Sequence, residues 1–222
     1  MKNILSLLIL LFSLNINLIT SLEYDISKLK LSRKTDQIIL VIPPNKKSTS
    51  AEFLFYVKEG NEWIEYIKSK AYIGKEGIGE AMEGISVTPV GSFKFTKCFG
   101  IANNPGTKLN YTQINQFHYW ISDPNSDRYN QFVDIREYDK FDKEVGEHLI
   151  EYKDAYEFVM NINYNEKGES GKGSAIFLHC MTKKRYTGGC VAIPREQMIS
   201  VLKKVNGNCQ IVIDLKDNLK KY

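Results

Sequence analysis

The sequence predicts a mainly β protein: many short strands in a sandwich or barrel-like sheet, with a few short helices and long loops. Three observations predict it. Short runs of β-branched and aromatic residues recur along the chain, each bounded by Pro, Gly, Asn or Asp. One stretch carries clear helical periodicity, Met198, Val201, Leu202 and Val205, placed after Pro194 and before Gly207. Strands and helices do not alternate, which argues against a parallel sheet of strand–helix–strand units. The 222 residues include 13 Tyr, 11 Phe and 2 Trp, enough apolar bulk for one sizeable core.

Taken in order, residues 37–42 form a continuous apolar run stopped by Pro43 and Pro44, which predicts a buried first strand. Residues 53–57 and 63–67 flank Glu59-Gly60-Asn61 and predict a hairpin. Gly74, Gly77, Gly79 and Gly84 fit neither a P-loop nor a dinucleotide fingerprint, so residues 74–84 are expected to be a loop between strands. Residues 88–95 alternate like a strand entered through Pro89. Residues 97–118 are expected to be a long loop around Asn103-Asn104-Pro105-Gly106. Short strands are expected at 119–121 and 129–133. The alternation of 156–162 predicts a strand with one buried face, and 174–179 a strand ending on His179. Residues 191–193 continue the sheet. A helix then runs from Pro194 towards Gly207, and 209–213 close the fold.

Charge and composition narrow the function. The formal charge of +4 is spread along the chain and makes no basic patch, so nucleic acid is not an expected partner. Lys2 precedes an apolar run from Ile4 to Leu14, followed by Asn15, Asn17, Thr20 and Ser21. That run is too short to span a bilayer, so residues 1–21 are expected to be a cleaved secretion signal, with an uncleaved anchor as the alternative. Residues 22–35 are expected to be a surface lead-in, and 36–222 the functional domain. Localisation is then secreted or extracytoplasmic, with no stable membrane span after signal removal, and a monomer is expected. Export also places Cys98, Cys180, Cys190 and Cys209 where disulfides persist, without fixing any pairing.

The chemistry is expected between His179 and Cys190. An apolar strand ends on the histidine, and the chain returns through Thr187-Gly188-Gly189 to the cysteine. A free thiol titrates near ~8.5, so a nucleophilic cysteine needs a base or a positive field. The histidine supplies the base. The glycines let backbone N–H groups approach a substrate closely. Nucleophile, base and oxyanion donors together make an acyl-transfer site. A zinc site from His179, Cys180 and Cys190 does not match common ligand spacings, so no metal and no cofactor is expected.

From these residues outward, the chain resembles the L,D-transpeptidase catalytic domain, or YkuD-type, family. The likeness runs through residues 37–41, Ile73-Gly74, Glu83-Gly84, Thr88-Pro89-Val90-Gly91-Ser92-Phe93, 119–133, and Phe177-Leu178-His179 with Gly189-Cys190-Val191-Ala192-Ile193-Pro194. It implies a β-sandwich of L,D-transpeptidase type acting on peptidoglycan stem peptides, by transpeptidation or carboxypeptidation. It also implies Cys190 as nucleophile, His179 as base, amides around Gly188, Gly189 and Cys190 as the oxyanion hole, and the Cys180 carbonyl as the group orienting His179. The chain departs from many relatives, which have Ser-His-Gly-Cys where Thr187-Gly188-Gly189-Cys190 stands, and Asn or Arg where Ala192-Ile193 stands. The pattern is that of a divergent branch with a compact loop.

Thr187, Arg185, His118 and Tyr119 are candidates for substrate contact. Lys183, Lys184 and Arg185 are candidates to meet a substrate carboxylate or to lower the thiol pKa. Thr88 to Gly91 is expected to hold a strand near the site. Two other readings stand beside this one. A papain-like hydrolase is disfavoured, because its cysteine precedes its histidine. A secreted wall-binding module would have Cys190 bridged.

Overall fold

Strands form near the apolar runs that predict them: the hairpin strands and the strand after Pro89 run longer, and those expected at 129–133, 156–162, 174–179 and 209–213 are shorter. The computed structural model describes residues 24–222; residues 1–23, which include the expected secretion signal, lie outside the described residues. In chain order the elements are β1 (Gln37–Ile42), β2 (Ser50–Glu59), β3 (Glu62–Tyr72), β4 (Ile78–Gly79), β5 (Thr88–Pro89), β6 (Gly91–Gly100) and β7 (Tyr111–Gln113). They continue with β8 (His118–Trp120), β9 (Phe132–Asp134), β10 (Glu147–His148), β11 (Val159–Ile162), β12 (Phe177–Cys180), β13 (Val191–Ile193), α1 (Arg195–Lys204) and β14 (Gln210–Ile213).

The main sheet has the order β11-β12-β13-β3-β2-β1-β14-β6-β7, and β11 also pairs with β6. That extra pairing returns the sheet to its first strand, so eight strands close on themselves around one apolar core. The seam between β13 and β3 is a single pair, Ala192 with Tyr72. The expected mainly β architecture is the one observed; the closure through β6 and β11 carried no local sequence signal.

Alternation decides what each strand buries. Phe53, Phe55 and Val57 of β2 and Ile39 and Val41 of β1 point into the closed core, where Met198, Val201 and Leu202 of α1 join them. Ile38, Leu40 and Ile42 of β1 and Leu54 and Tyr56 of β2 point the other way. They are covered by Ile26, Leu29 and Leu31 and by Leu219. This double burial explains why residues 37–42 are apolar without alternation.

The same packing corrects the expectation for residues 22–35. From Tyr24 on this is not a surface lead-in: two 3₁₀ turns, Ile26–Lys28 and Lys30–Arg33, fold onto the sheet. Leu31 and Lys30 donate their backbone N–H groups to the Tyr222 carbonyl, which joins the two ends of the described chain. The charged residues that suggested a surface stretch sit between the buried apolar ones.

Three smaller corrections follow from pairing. Residues 97–118 are not one loop, because β6 continues to Gly100 and β7 pairs with it. β11 begins only at Val159 and is buried on both faces, since Met160 and Ile162 enter the closed core while Val159 packs with Phe99 and Phe177 outside it. α1 ends at Val205 in extended conformation, two residues before Gly207.

A small antiparallel sheet, β10-β8-β9, lies against the outer face of β6, β11 and β12. Trp120 of β8 packs edge-on against Phe177 at 4.8 Å between centroids and stacks on Phe99. Among the described residues, no helix is long and apolar enough to cross a membrane.

Candidate active site

His179 and Cys190 reach the same cleft for a reason visible in the strand register. β12 and β13 are parallel neighbours, with Leu178 beside Val191 and His179 beside Ala192. Side chains alternate, so Cys190, two residues before Ala192, takes the same face as His179. Leu178 and Cys180 take the opposite face and enter the closed core. Cys180 therefore points away from the histidine, as alternation predicts. The cleft has a volume of ≈ 600 Å³ and is lined by both residues.

The imidazole is oriented by its own strand. His179 Nδ1 lies 2.8 Å from the Cys180 carbonyl oxygen. A carbonyl only accepts, so Nδ1 carries the hydrogen and Nε2 keeps a free lone pair. The ring packs edge-on to Tyr156, 5.7 Å between centroids. Burial pushes the imidazolium pKa down from 6.5 to about 4, although the Cys180 carbonyl opposes this. At neutral pH His179 is a neutral base.

The sulfur sits between two backbone groups. Cys190 Sγ donates to the Ala175 carbonyl oxygen at 3.2 Å and accepts the Phe177 N–H at 3.3 Å. Burial, with the Glu147 carboxylate adding to it, raises the thiol pKa to about 12, and only the Phe177 N–H favours the thiolate. The resting pair is thus thiol and imidazole, not thiolate and imidazolium. All four cysteines, Cys98, Cys180, Cys190 and Cys209, are free thiols.

Two threonine hydroxyls fix the backbone of the nucleophile candidate. Thr187 Oγ1 donates to the Cys190 carbonyl at 2.7 Å and Thr88 Oγ1 does so at 3.3 Å. Thr88 also accepts the Gly74 N–H at 2.8 Å, tying the glycine-rich loop to the site. The expected supporting role of Thr88 matches this geometry. Gly189 is required where it stands: its φ is +147°, and an added Cβ would lie 3.0 Å from the Val87 carbonyl oxygen.

Of the expected substrate contacts, Thr187 lines the cleft, while Arg185, His118 and Tyr119 do not. Thr187 is buried and its hydroxyl is spent inside the loop, on Cys190 and on the Gly189 N–H at 3.1 Å, so it supports the loop. The same bond occupies one of the two expected glycine oxyanion donors; Gly188 stays exposed in the cleft lining. Arg185 is exposed outside the lining, whereas Lys184 and Tyr186 belong to it. His118 is buried beside Phe132, accepts the Asn115 N–H at 2.9 Å and lies near Asp134. Tyr119 stacks on His148 at 4.4 Å. Both are held within the small sheet and its flanking loops. The basic run does not lower the thiol pKa, since burial and Glu147 dominate it.

Sequence reasoning missed the acidic wall of the cleft. Tyr156 donates its hydroxyl to Glu147 at 2.6 Å, and Tyr152 stacks on Tyr156. Burial raises the Glu147 carboxyl to about 7, while the Tyr156 hydroxyl holds it down. Glu83 is held by the Tyr129 hydroxyl and by Ser174. These residues lie on short elements far apart in sequence, so no local pattern marks them. Among the described residues, no group of three or more His, Cys, Asp or Glu side chains is placed to hold a metal ion.

The family model for the L,D-transpeptidase catalytic domain, YkuD, matches residues 38–213. No curated protein matches the chain. Similar solved structures include Bd1075 of Bdellovibrio bacteriovorus, 14% identical, TM-score 0.44, covering 87% of this chain and 55% of that one. The helical cell shape determining protein Pgp2 from Campylobacter jejuni is 16% identical, TM-score 0.42, with 82% and 49% covered. An L,D-transpeptidase (Yku) from Stackebrandtia nassauensis is 12% identical, TM-score 0.38, with 86% and 61% covered. The chain spans about half to three fifths of the length of these structures. With the family model covering most of its length, the chain belongs to the L,D-transpeptidase catalytic domain family.

Proposed function

We propose that this protein is an exported cysteine acyltransferase that acts on peptidoglycan stem peptides through a thioester on Cys190. The observation that carries the reading is the placement of His179 and Cys190 on one face of adjacent strands, opening on one cleft. Membership of the family supplies the substrate class.

The proposed sequence of steps follows from the resting state. Substrate entry displaces water and brings the carbonyl after the third stem residue to the sulfur. His179 Nε2 takes the thiol proton as the S–C bond forms, so charge separates only in the complex. The oxyanion meets the amides around Gly188, Gly189 and Cys190; Gly189 serves only once its N–H leaves Thr187 Oγ1. The imidazolium returns the proton to the departing amine. An amine from a second stem, or water, then attacks the thioester and restores the thiol.

The test is turnover of purified mature protein on tetrapeptide stems, with products identified by mass. Cross-linked stems mean transpeptidation, and tripeptides mean carboxypeptidation. Parent activity with none in Cys190→Ala is the expected result. Conversion that persists in Cys190→Ala would overturn the assignment.

A further inference from the structure

Among the described residues, three that are not glycine have positive φ: Asn130 at +62°, Asn165 at +50° and Ala175 at +54°. They form one connected set. Asn130 Oδ1 accepts the Ala175 N–H at 3.0 Å and the Trp120 Nε1–H at 2.9 Å. Asn130 Nδ2 donates to the carbonyls of Tyr164 and Asn165, both at 2.9 Å. Asn165 in turn donates to the Gly173 carbonyl at 2.9 Å, two residues before Ala175. Asparagine tolerates the left-handed region, but alanine is disfavoured there because its Cβ crowds the following carbonyl oxygen. Such a conformation persists only where its surroundings impose it.

The carbonyl of that strained alanine accepts the Cys190 thiol. We propose that Asn130 is a positioning residue for the nucleophile: by holding Ala175 in its left-handed conformation it aims the carbonyl that fixes the Cys190 sulfur between Ala175 and Phe177. The turn between β8 and β9, which carries Asn130, then has a role beyond packing: its clamp reaches the reactive atom through one side chain and one peptide. Asn130 is outside the cleft lining and acts on Cys190 only through Ala175.

The inference rests on Cys190 as nucleophile, yet its test needs no turnover. The groups facing the sulfur are His179 from β12, Glu147 from β10, and Tyr152 and Tyr156 from the segment before β11. None of them changes in the variants. The rate of Cys190 alkylation by iodoacetamide is measured against pH, with labelling sites assigned by mass spectrometry. Cys98 and Cys209, both buried, report an intact core when unlabelled.

In Asn130→Ala the thiol loses its fixed acceptor, so the alkylation profile moves to lower pH and labelling at neutral pH rises severalfold. Turnover on stem peptides falls about tenfold or more in kcat, with KM little changed, because the sulfur is no longer held in line. Asn130→Gln, which keeps a neutral amide but displaces its acceptor by one methylene, moves the profile the same way by less. It serves if Asn130→Ala exposes Cys98 and Cys209. A profile in either folded variant that superimposes on the parent's overturns the positioning role. Turnover that survives Cys190→Ala while the profile still moves sinks the proposed function and leaves the clamp standing.

Discussion

Leu178 and Cys180 of β12 enter the closed core, whereas His179 of the same strand faces a cleft walled by carboxylates, tyrosines and strained backbone. One strand of four residues thus serves two environments. In the core, burial of apolar surface sets stability, and any residue of matching volume suffices. In the cleft, burial acts on ionisation: it keeps His179 a neutral base and the Cys190 proton on sulfur. The difference teaches that the same loss of water stabilises one face and poises the other for a proton transfer.

Substitutions separate the two faces, and the largest effect is expected on the cleft side. Cys190→Ala removes the sulfur and lowers turnover by about four orders of magnitude or more, with thermal stability near the parent's; stopped assays and a melting curve check both. On the core side, Leu178→Ala opens a cavity in a fully buried position and costs about 2–5 kcal/mol of stability, read from denaturant unfolding. If Leu178→Ala leaves the midpoint unchanged, the core is looser than the packing described.

His179→Gln sharpens the contrast because it touches both chemistry and stability. Turnover falls by about 10²–10⁴ with loss of the base. Above pH 6.5 His179 is neutral in both states; below it the unfolded chain takes up a proton that the buried imidazole excludes, which favours unfolding. That penalty is absent above pH 6.5 and grows as pH falls towards about 4, the folded-state value. Melting temperatures taken from pH 7 to pH 4 should therefore drop more steeply in the parent than in His179→Gln. Equal slopes would mean that the imidazole is solvated.

A smaller effect is expected from Glu147→Gln. Glu147 opposes thiolate formation, so its neutral isostere lowers the thiol pKa and speeds alkylation of Cys190 severalfold at pH 8. The smallest change is at the surface: Arg195→Ala breaks an exposed pair with Glu157 and leaves the melting temperature close to the parent's.

The legible part of this molecule was the part written in local pattern. The run 37–42, the hairpin around Gly60, the helix after Pro194 and the strand ending on His179 all declare themselves through period and punctuation. Closure of the sheet depends on β6 pairing with β11 some sixty residues later, and the cleft wall on Glu83, Glu147 and Tyr156 meeting from separate elements. Pairings at that distance leave no periodic trace. His118 and Arg185 misled for the opposite reason: a polar residue near a motif looks available until its own partners or its loop direction are known. Residues 24–35 misled because lysines and serines flank Ile26, Leu29 and Leu31 and dilute their apolar signal.

The decisive measurement is the mass of the acyl-enzyme trapped on a tetrapeptide stem, or with a carbapenem-type acylating agent, followed by peptide mapping. Catalysis at the His179–Cys190 pair predicts one acyl group on the peptide carrying Cys190, formed slowly in His179→Gln and absent in Cys190→Ala. An acyl group on any other residue, or the same adduct at the parent's rate without His179, would contradict it.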